Sequence, residues 1–166
     1  MSEQSVRWGL LSTARINERL IPPIRTAARS ELLAVASRDQ DRAEGYAAEW
    51  EIPHAYGSYE AMLADPDVDA VYIPLPNALH AEWAIRCAEK GKHILCEKPM
   101  AHNAAECRQM IEACRAAGVK LGVAYRRRLF PQVLKAKELI AAGRIGRIVC
   151  VRTHYSGWTE VGEGEW

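Results

Sequence analysis

Glu97-Lys98-Pro99 sets a carboxylate and an amine beside a rigid turn residue, directly after the strand-like run His93-Ile94-Leu95-Cys96. In an open α/β sheet, ligands bind just beyond the carboxyl ends of the strands, where such a lysine would meet them. For three residues taken alone, a solvated turn is the alternative. A second stretch carries anion chemistry. Ser12-Thr13-Ala14-Arg15-Ile16-Asn17 follows an apolar run and leads into a helix, an arrangement in which backbone N–H groups and the helix dipole face an anion. It stands where a G-x-G-x-x-G fingerprint would, with small residues in place of glycines and two hydroxyls, Ser12 and Thr13, that can reach phosphate. An ordinary strand-to-helix turn capped by Ser or Thr is the competing reading.

The end of the second apolar run adds a third group. A site selective for NAD places Asp or Glu there for the ribose hydroxyls, whereas an arginine accommodates a 2′-phosphate. Here the residues are Ser37-Arg38, with Asp39 one place beyond. A hydroxyl followed by a guanidinium suits NADP, with NAD as the second option, because arginine forms charge-assisted bonds to phosphate. A surface arginine in a loop is the alternative.

These groups need elements to position them. Residues 6–11 read as a buried strand, followed by an amphipathic helix over 16–26 that Pro22-Pro23 should interrupt. Residues 31–37 form the second strand, and Asp39 caps a helix over 42–50. A short run at Ala55-Tyr56 precedes a helix opened by Ser58 and ended by Asp65-Pro66-Asp67. Then come a strand over 68–74, a helix over 79–90 closed by Gly91, and the strand ending at Cys96. A helix over 104–117 closed by Gly118 and a strand over 120–124 complete the alternation. Strands alternating with helices imply right-handed βαβ units, hence an α/β fold with a doubly wound parallel sheet. After Tyr125 the pattern changes: a helix from Pro131 to Ala142 ended by Gly143, then a strand over 147–155, and no convincing element in 157–166. The expected domains are 1–124, nucleotide-binding, and 125–166, the start of an incomplete α+β second domain.

The bulk numbers set bounds. The 166 residues are 49% hydrophobic and 26% charged, the make-up of an ordinary globular chain, and the net charge of +1 gives no reason to expect nucleic acid or an anionic membrane as partner. No apolar run approaches the roughly 18 residues that span a bilayer. The polar start Met1-Ser2-Glu3-Gln4 carries no signal peptide, so the expected location is cytoplasmic. Five cysteines without CxxC spacing and five scattered histidines predict neither a disulfide framework nor a metal site.

The residues together resemble the glucose–fructose oxidoreductase, inositol dehydrogenase and MocA family of nicotinamide-dependent oxidoreductases. The stretch from Trp8 through Ser12-Thr13-Ala14 to Asn17 is similar to its dihydrodiol and xylose dehydrogenase branch, which writes the loop with Ser-Thr-Ala. Ala36-Ser37-Arg38-Asp39, Tyr56-Gly57-Ser58-Tyr59, the run from Asp67 to Asn77, His80, Gly91-Lys92-His93 and Cys96-Glu97-Lys98-Pro99 carry the rest of the likeness, with Arg128, Pro131 and Gly143-Arg144-Ile145-Gly146 beyond.

The resemblance implies hydride transfer between NADP and a carbinol carbon of a sugar or cyclic diol. It sets Lys98 beside the nicotinamide and the reacting hydroxyl, where an ammonium polarises a carbonyl or an amine relays a proton. Glu97 would hold the neighbouring ribose or orient Lys98. Ser12 and the stretch Thr13, Ala14, Arg15 and Ile16 would cradle the pyrophosphate, Ser37 and Arg38 the adenosine phosphate. Leu75, Pro76, Asn77 and His80 would line the cofactor, with a helix cap the alternative for Asn77 and a satisfied structural histidine for His80. Arg126 to Arg128 would contact cofactor or substrate, or form a solvated turn. Members of the family are much longer, with a second domain that carries the substrate site and usually a homo-oligomer interface. The expectation is therefore a truncated chain, with a non-catalytic NADP-binding module or inactive fragment as the alternative to an active enzyme.

Overall fold

Leu10 and Leu11 are both fully buried, yet neighbouring residues of a strand point to opposite faces. A strand of this kind needs cover on both sides, which is the condition of a parallel sheet flanked by helices. The computed structural model describes residues 5–154 and meets that condition. Among the described residues six strands, β1 (Val6–Leu11), β2 (Ser30–Ala36), β3 (His54–Tyr56), β4 (Ala70–Ile73), β5 (His93–Cys96) and β6 (Leu121–Val123), form one sheet. Its order is β3-β2-β1-β4-β5-β6, with every neighbouring pair parallel. The helices are α1 (Ile21–Thr26), α2 (Gln40–Glu49), α3 (Tyr59–Ala64), α4 (His80–Glu89), α5 (Ala104–Ala116) and α6 (Pro131–Ala141).

The two-residue period of the strands divides the core. Leu11, Val71 and Ile73 face one cluster with Met62, Trp83 and Met110. Leu10, Val35 and Tyr72 face the other with Ile21 and Ile24. Helix starts follow side-chain chemistry: Asp39 accepts from the Arg42 N–H at 2.8 Å, and Ser58 from the Ala61 N–H at 3.1 Å. Asn103, which the sequence reading passes over, accepts from both Ala105 and Glu106 N–H groups. Gly91 and Gly118 close α4 and α5 at φ +70°, where a Cβ would be strained.

Two expectations need correction. The helix over 16–26 is two pieces, a 3₁₀ turn (Arg15–Arg19) and α1, divided at Leu20. Pro22 and Pro23 do not interrupt α1; they start it, in the first turn where no N–H is required. The strand expected over 147–155 does not form: residues 147–154 carry no regular structure, Tyr155 and the tail 157–166 lying outside the described residues. A strand exists only as a paired partner, and the described residues contain no second strand after Tyr125.

The chain divides into two units, up to Tyr125 and from Arg126 onward. The second opens with a 3₁₀ turn (Arg126–Leu129) and continues as α6, with Leu129, Ile145, Val149 and Val151 exposed. All five thiols are free, those of Cys87, Cys96 and Cys114 buried. No described helix is long and apolar enough to cross a membrane.

Candidate dinucleotide site

The strand order creates one special place. From β1 the chain builds outward through β2 and β3, then returns to lay β4 on the other side of β1. The loops leaving β1 and β4 therefore part in opposite directions and leave a crevice at the carboxyl ends, where doubly wound sheets bind dinucleotides. A cavity of about 390 Å³ lies there, lined by Ser12, Thr13, Ala14, Ser37, Arg38, Arg42, Tyr59, Pro74, Leu75, Pro76 and Leu79.

The floor is the loop after β1. Ser12 has φ +134°, a conformation favoured by glycine, and its Oγ is buried without a hydrogen-bond partner. A buried hydroxyl with no partner in a cavity is a donor in want of an acceptor, and phosphate oxygens are acceptors only. Arg15 is exposed and outside the cavity lining, and Ile16 packs on the core beside Leu10 and Ile21. Of the five residues expected to cradle pyrophosphate, Ser12, Thr13 and Ala14 thus bring side chains to the cavity, and Arg15 and Ile16 do not.

One end of the cavity is cationic. Ser37 is buried at the end of β2, its N–H donating to Tyr56 O at 2.9 Å, and Arg38 follows. Arg42 joins it, its Nε donating to Thr13 Oγ1 at 2.9 Å. Both guanidiniums act on the Tyr59 phenol, which burial pushes up and they draw back down. The Tyr59 ring stands edge-on to Trp83, centroids 4.9 Å apart, so the wall is rigid. Neither Arg42 nor Tyr59 is among the site residues expected from the sequence, although Tyr59 belongs to a stretch that carries the family likeness. A signal was available for Arg42: it sits in the first turn of α2, where the helix dipole disfavours a cation unless an anion offsets it.

The other expected residues fall into three groups. Leu75 and Pro76 line the cavity. Asn77 is exposed and starts a 3₁₀ turn (Asn77–Leu79) without capping it by its side chain. His80 does not line the cavity: it is fully buried, with Nδ1 2.8 Å from Pro99 O and Nε2 2.8 Å from Leu75 O. A neutral ring can donate to only one of these carbonyls, the tautomer setting which. These contacts match the structural-histidine alternative for His80 rather than a place in the cavity lining. The ring instead ties the loop after β4 to the loop after β5.

That second loop holds Glu97 and Lys98. Glu97 N–H donates to Ile73 O at 3.0 Å, extending the β4–β5 pairing by one residue. The Glu97 carboxylate accepts from the buried Tyr72 hydroxyl at 2.8 Å and from the Lys98 N–H at 3.0 Å. The Lys98–Pro99 peptide is cis, and Lys98 is exposed. Burial pushes the neighbouring Cys96 thiol up to about 12, so no thiolate forms there at neutral pH. Glu97 and Lys98 lie outside the 390 Å³ cavity, in the loop that follows β5, the strand next to β4, along the same carboxyl edge.

Sheet order, switch-point crevice and unsatisfied loop hydroxyl define a dinucleotide-binding Rossmann domain. The chain belongs to the GFO/IDH/MocA family, an oxidoreductase family with an NAD-binding Rossmann fold, whose profile matches residues 6–125. Among its relatives is D-xylose 1-dehydrogenase (NADP(+)) 2 of Haloferax volcanii, 46% identical over 149 residues, which cover 90% of this chain and 46% of that protein. Trans-1,2-dihydrobenzene-1,2-diol dehydrogenase of Bos taurus is 36% identical, with 96% of this chain and 51% of the relative covered. A solved 3-ketoreductase from Actinomadura kijaniata in complex with TDP-benzene and NADP superposes with a TM-score of 0.78 at 32% identity, over 84% of this chain and 44% of the other. The chain spans about half the length of the curated relatives it matches.

Proposed function

We propose that this chain supplies the NADP-binding half of an oxidoreductase that moves hydride between nicotinamide and a carbinol carbon of a sugar or cyclic diol. The observation that carries this reading is the cationic end of the crevice, where Arg38 and Arg42 flank a cavity whose floor holds the unpartnered Ser12 hydroxyl. The residues fit the cofactor. Ser12, Thr13 and Ala14 would hold the pyrophosphate, Ser37, Arg38 and Arg42 the adenosine 2′-phosphate, and Leu75 and Pro76 the middle. Two guanidiniums and no acid among the lining residues favour NADP over NAD. The names of the xylose and dihydrodiol dehydrogenases support the substrate class.

Bound there, the nicotinamide supplies the hydride acceptor or donor. Lys98 handles the proton: the ammonium donates to the developing alkoxide in reduction, and the amine takes the hydroxyl proton in oxidation. Glu97, with its carboxylate held by Tyr72 and the Lys98 N–H, orients Lys98. Lys98→Met is expected to lower NADPH formation from aldoses and cyclic diols by roughly 10²–10⁴-fold, the usual worth of a positioned acid–base group, with NADP⁺ affinity kept. Unchanged turnover in that variant would remove Lys98 from the mechanism.

A second reading follows from the coverage of about half of each relative: the chain alone binds NADP without turning it over. Calorimetric titration with NADP⁺ and NAD⁺, then a turnover screen, separates the two. Binding without reduction across the panel supports the module, and turnover of any polyol rejects it.

A further inference from the structure

Ser12 occupies the first glycine position of the dinucleotide fingerprint and adopts φ +134°, a backbone conformation strained for any residue with a Cβ. Asn17 occupies the third glycine position five residues on, and its side chain is fully buried. The two are joined: Asn17 Nδ2 donates to Ser12 O at 2.8 Å. The amide orientation follows from its partner, because an atom facing a carbonyl oxygen must be the donor. Asn17 is itself fixed by the turn, its N–H donating to Ala14 O at 2.9 Å and its carbonyl accepting from Leu20 N–H at 2.8 Å. The loop from 12 to 17 is therefore closed by side chain at one end and backbone at the other, with Ser12 lining the cavity and its buried hydroxyl unpartnered.

We propose that Asn17 is a positioning residue for dinucleotide binding, its buried amide locking Ser12 in the glycine-favoured conformation so that the Ser12 hydroxyl faces the bound phosphate. A glycine loop reaches this shape through its own freedom. Here a serine gains a phosphate donor, and Asn17 supplies the constraint that glycine would make unnecessary. The proposal rests on the NADP-binding reading of the crevice.

A double-mutant cycle tests it. NADP⁺ is titrated calorimetrically into the parent chain, Ser12→Gly, Asn17→Leu and the double variant, and cofactor-free melting curves are recorded for all four. Leucine keeps the branching and the number of heavy atoms of asparagine and removes the donor. In the parent background, Asn17→Leu is expected to weaken NADP⁺ by about tenfold; in the Ser12→Gly background it should cost no more than about twofold. Equal losses in both backgrounds, or no loss in the parent background, overturn the lock. If the parent chain binds no NADP⁺, the cofactor reading falls and the melts decide the lock. A larger drop from Asn17→Leu in the parent background than in the Ser12→Gly background supports it, and equal drops overturn it. Where leucine at this position abolishes the melt in both backgrounds, Asn17→Gly takes its place in the same cycle.

Discussion

At the scale of single residues, charge convergence sets the specificity of the crevice. Arg38 and Arg42 come from a loop and a helix turn yet line one cavity. A hydrogen bond to a charged group contributes about 1.5–3 kcal/mol, so Arg38→Ala and Arg42→Ala are each expected to weaken NADP⁺ by roughly 10–100-fold. NAD⁺, which lacks the 2′-phosphate, should be nearly unaffected. Titrating both cofactors against each variant checks this, and parallel losses for NAD⁺ would move the arginines away from the 2′-phosphate.

Between elements, the decisive contact is His80. Its ring spans the Leu75 and Pro99 carbonyls, one in the loop lining the cavity and one beside Lys98. Removing it breaks the tie between the loops and leaves the buried Leu75 carbonyl facing an apolar side chain, and a buried polar group left unsatisfied costs about 1–3 kcal/mol. His80→Leu should therefore destabilise the domain by about 1–3 kcal/mol in urea unfolding, with weaker NADP⁺ binding as the two loops lose their tie. A variant with parental stability would mean that water replaces the ring. Lys92 plays a similar part lower down: it is buried, and its Nζ donates to Asp65 O and Val68 O. Desolvation lowers its pKa.

For the whole molecule, acid stability follows from two carboxylates. Hydrogen bonds from Arg7 hold Asp69 below the usual carboxylate range, and the Tyr56 hydroxyl does the same for Asp65. A depressed folded pKa means stability that is fully present above the unfolded value and lost as pH falls through the folded one. Unfolding free energy should therefore hold down to about pH 5 and fall below about pH 4. Asp69→Asn is expected to lower stability at neutral pH and flatten that acid limb, as measured by urea unfolding across pH. An unaltered limb would show that the Arg7 pair, which also joins the start of β1 to the start of β4, does not set it.

The succession of elements is legible in the chain itself, because unbroken apolar runs bounded by caps and glycines leave few ways to bury both faces of a strand. So are Ser12, Ser37, Arg38, Leu75 and Lys98, which sit at the carboxyl ends of strands where a parallel sheet puts its ligands. Which side chains converge emerges only once the elements pack. Arg42 and Tyr59 reach the cavity, His80 is drawn into the interior, and Asn17 closes on Ser12. Periodicity tells which face of an element is buried. It carries no information about which loops meet, since that depends on strand order, and strand order is set by packing between segments far apart in the chain.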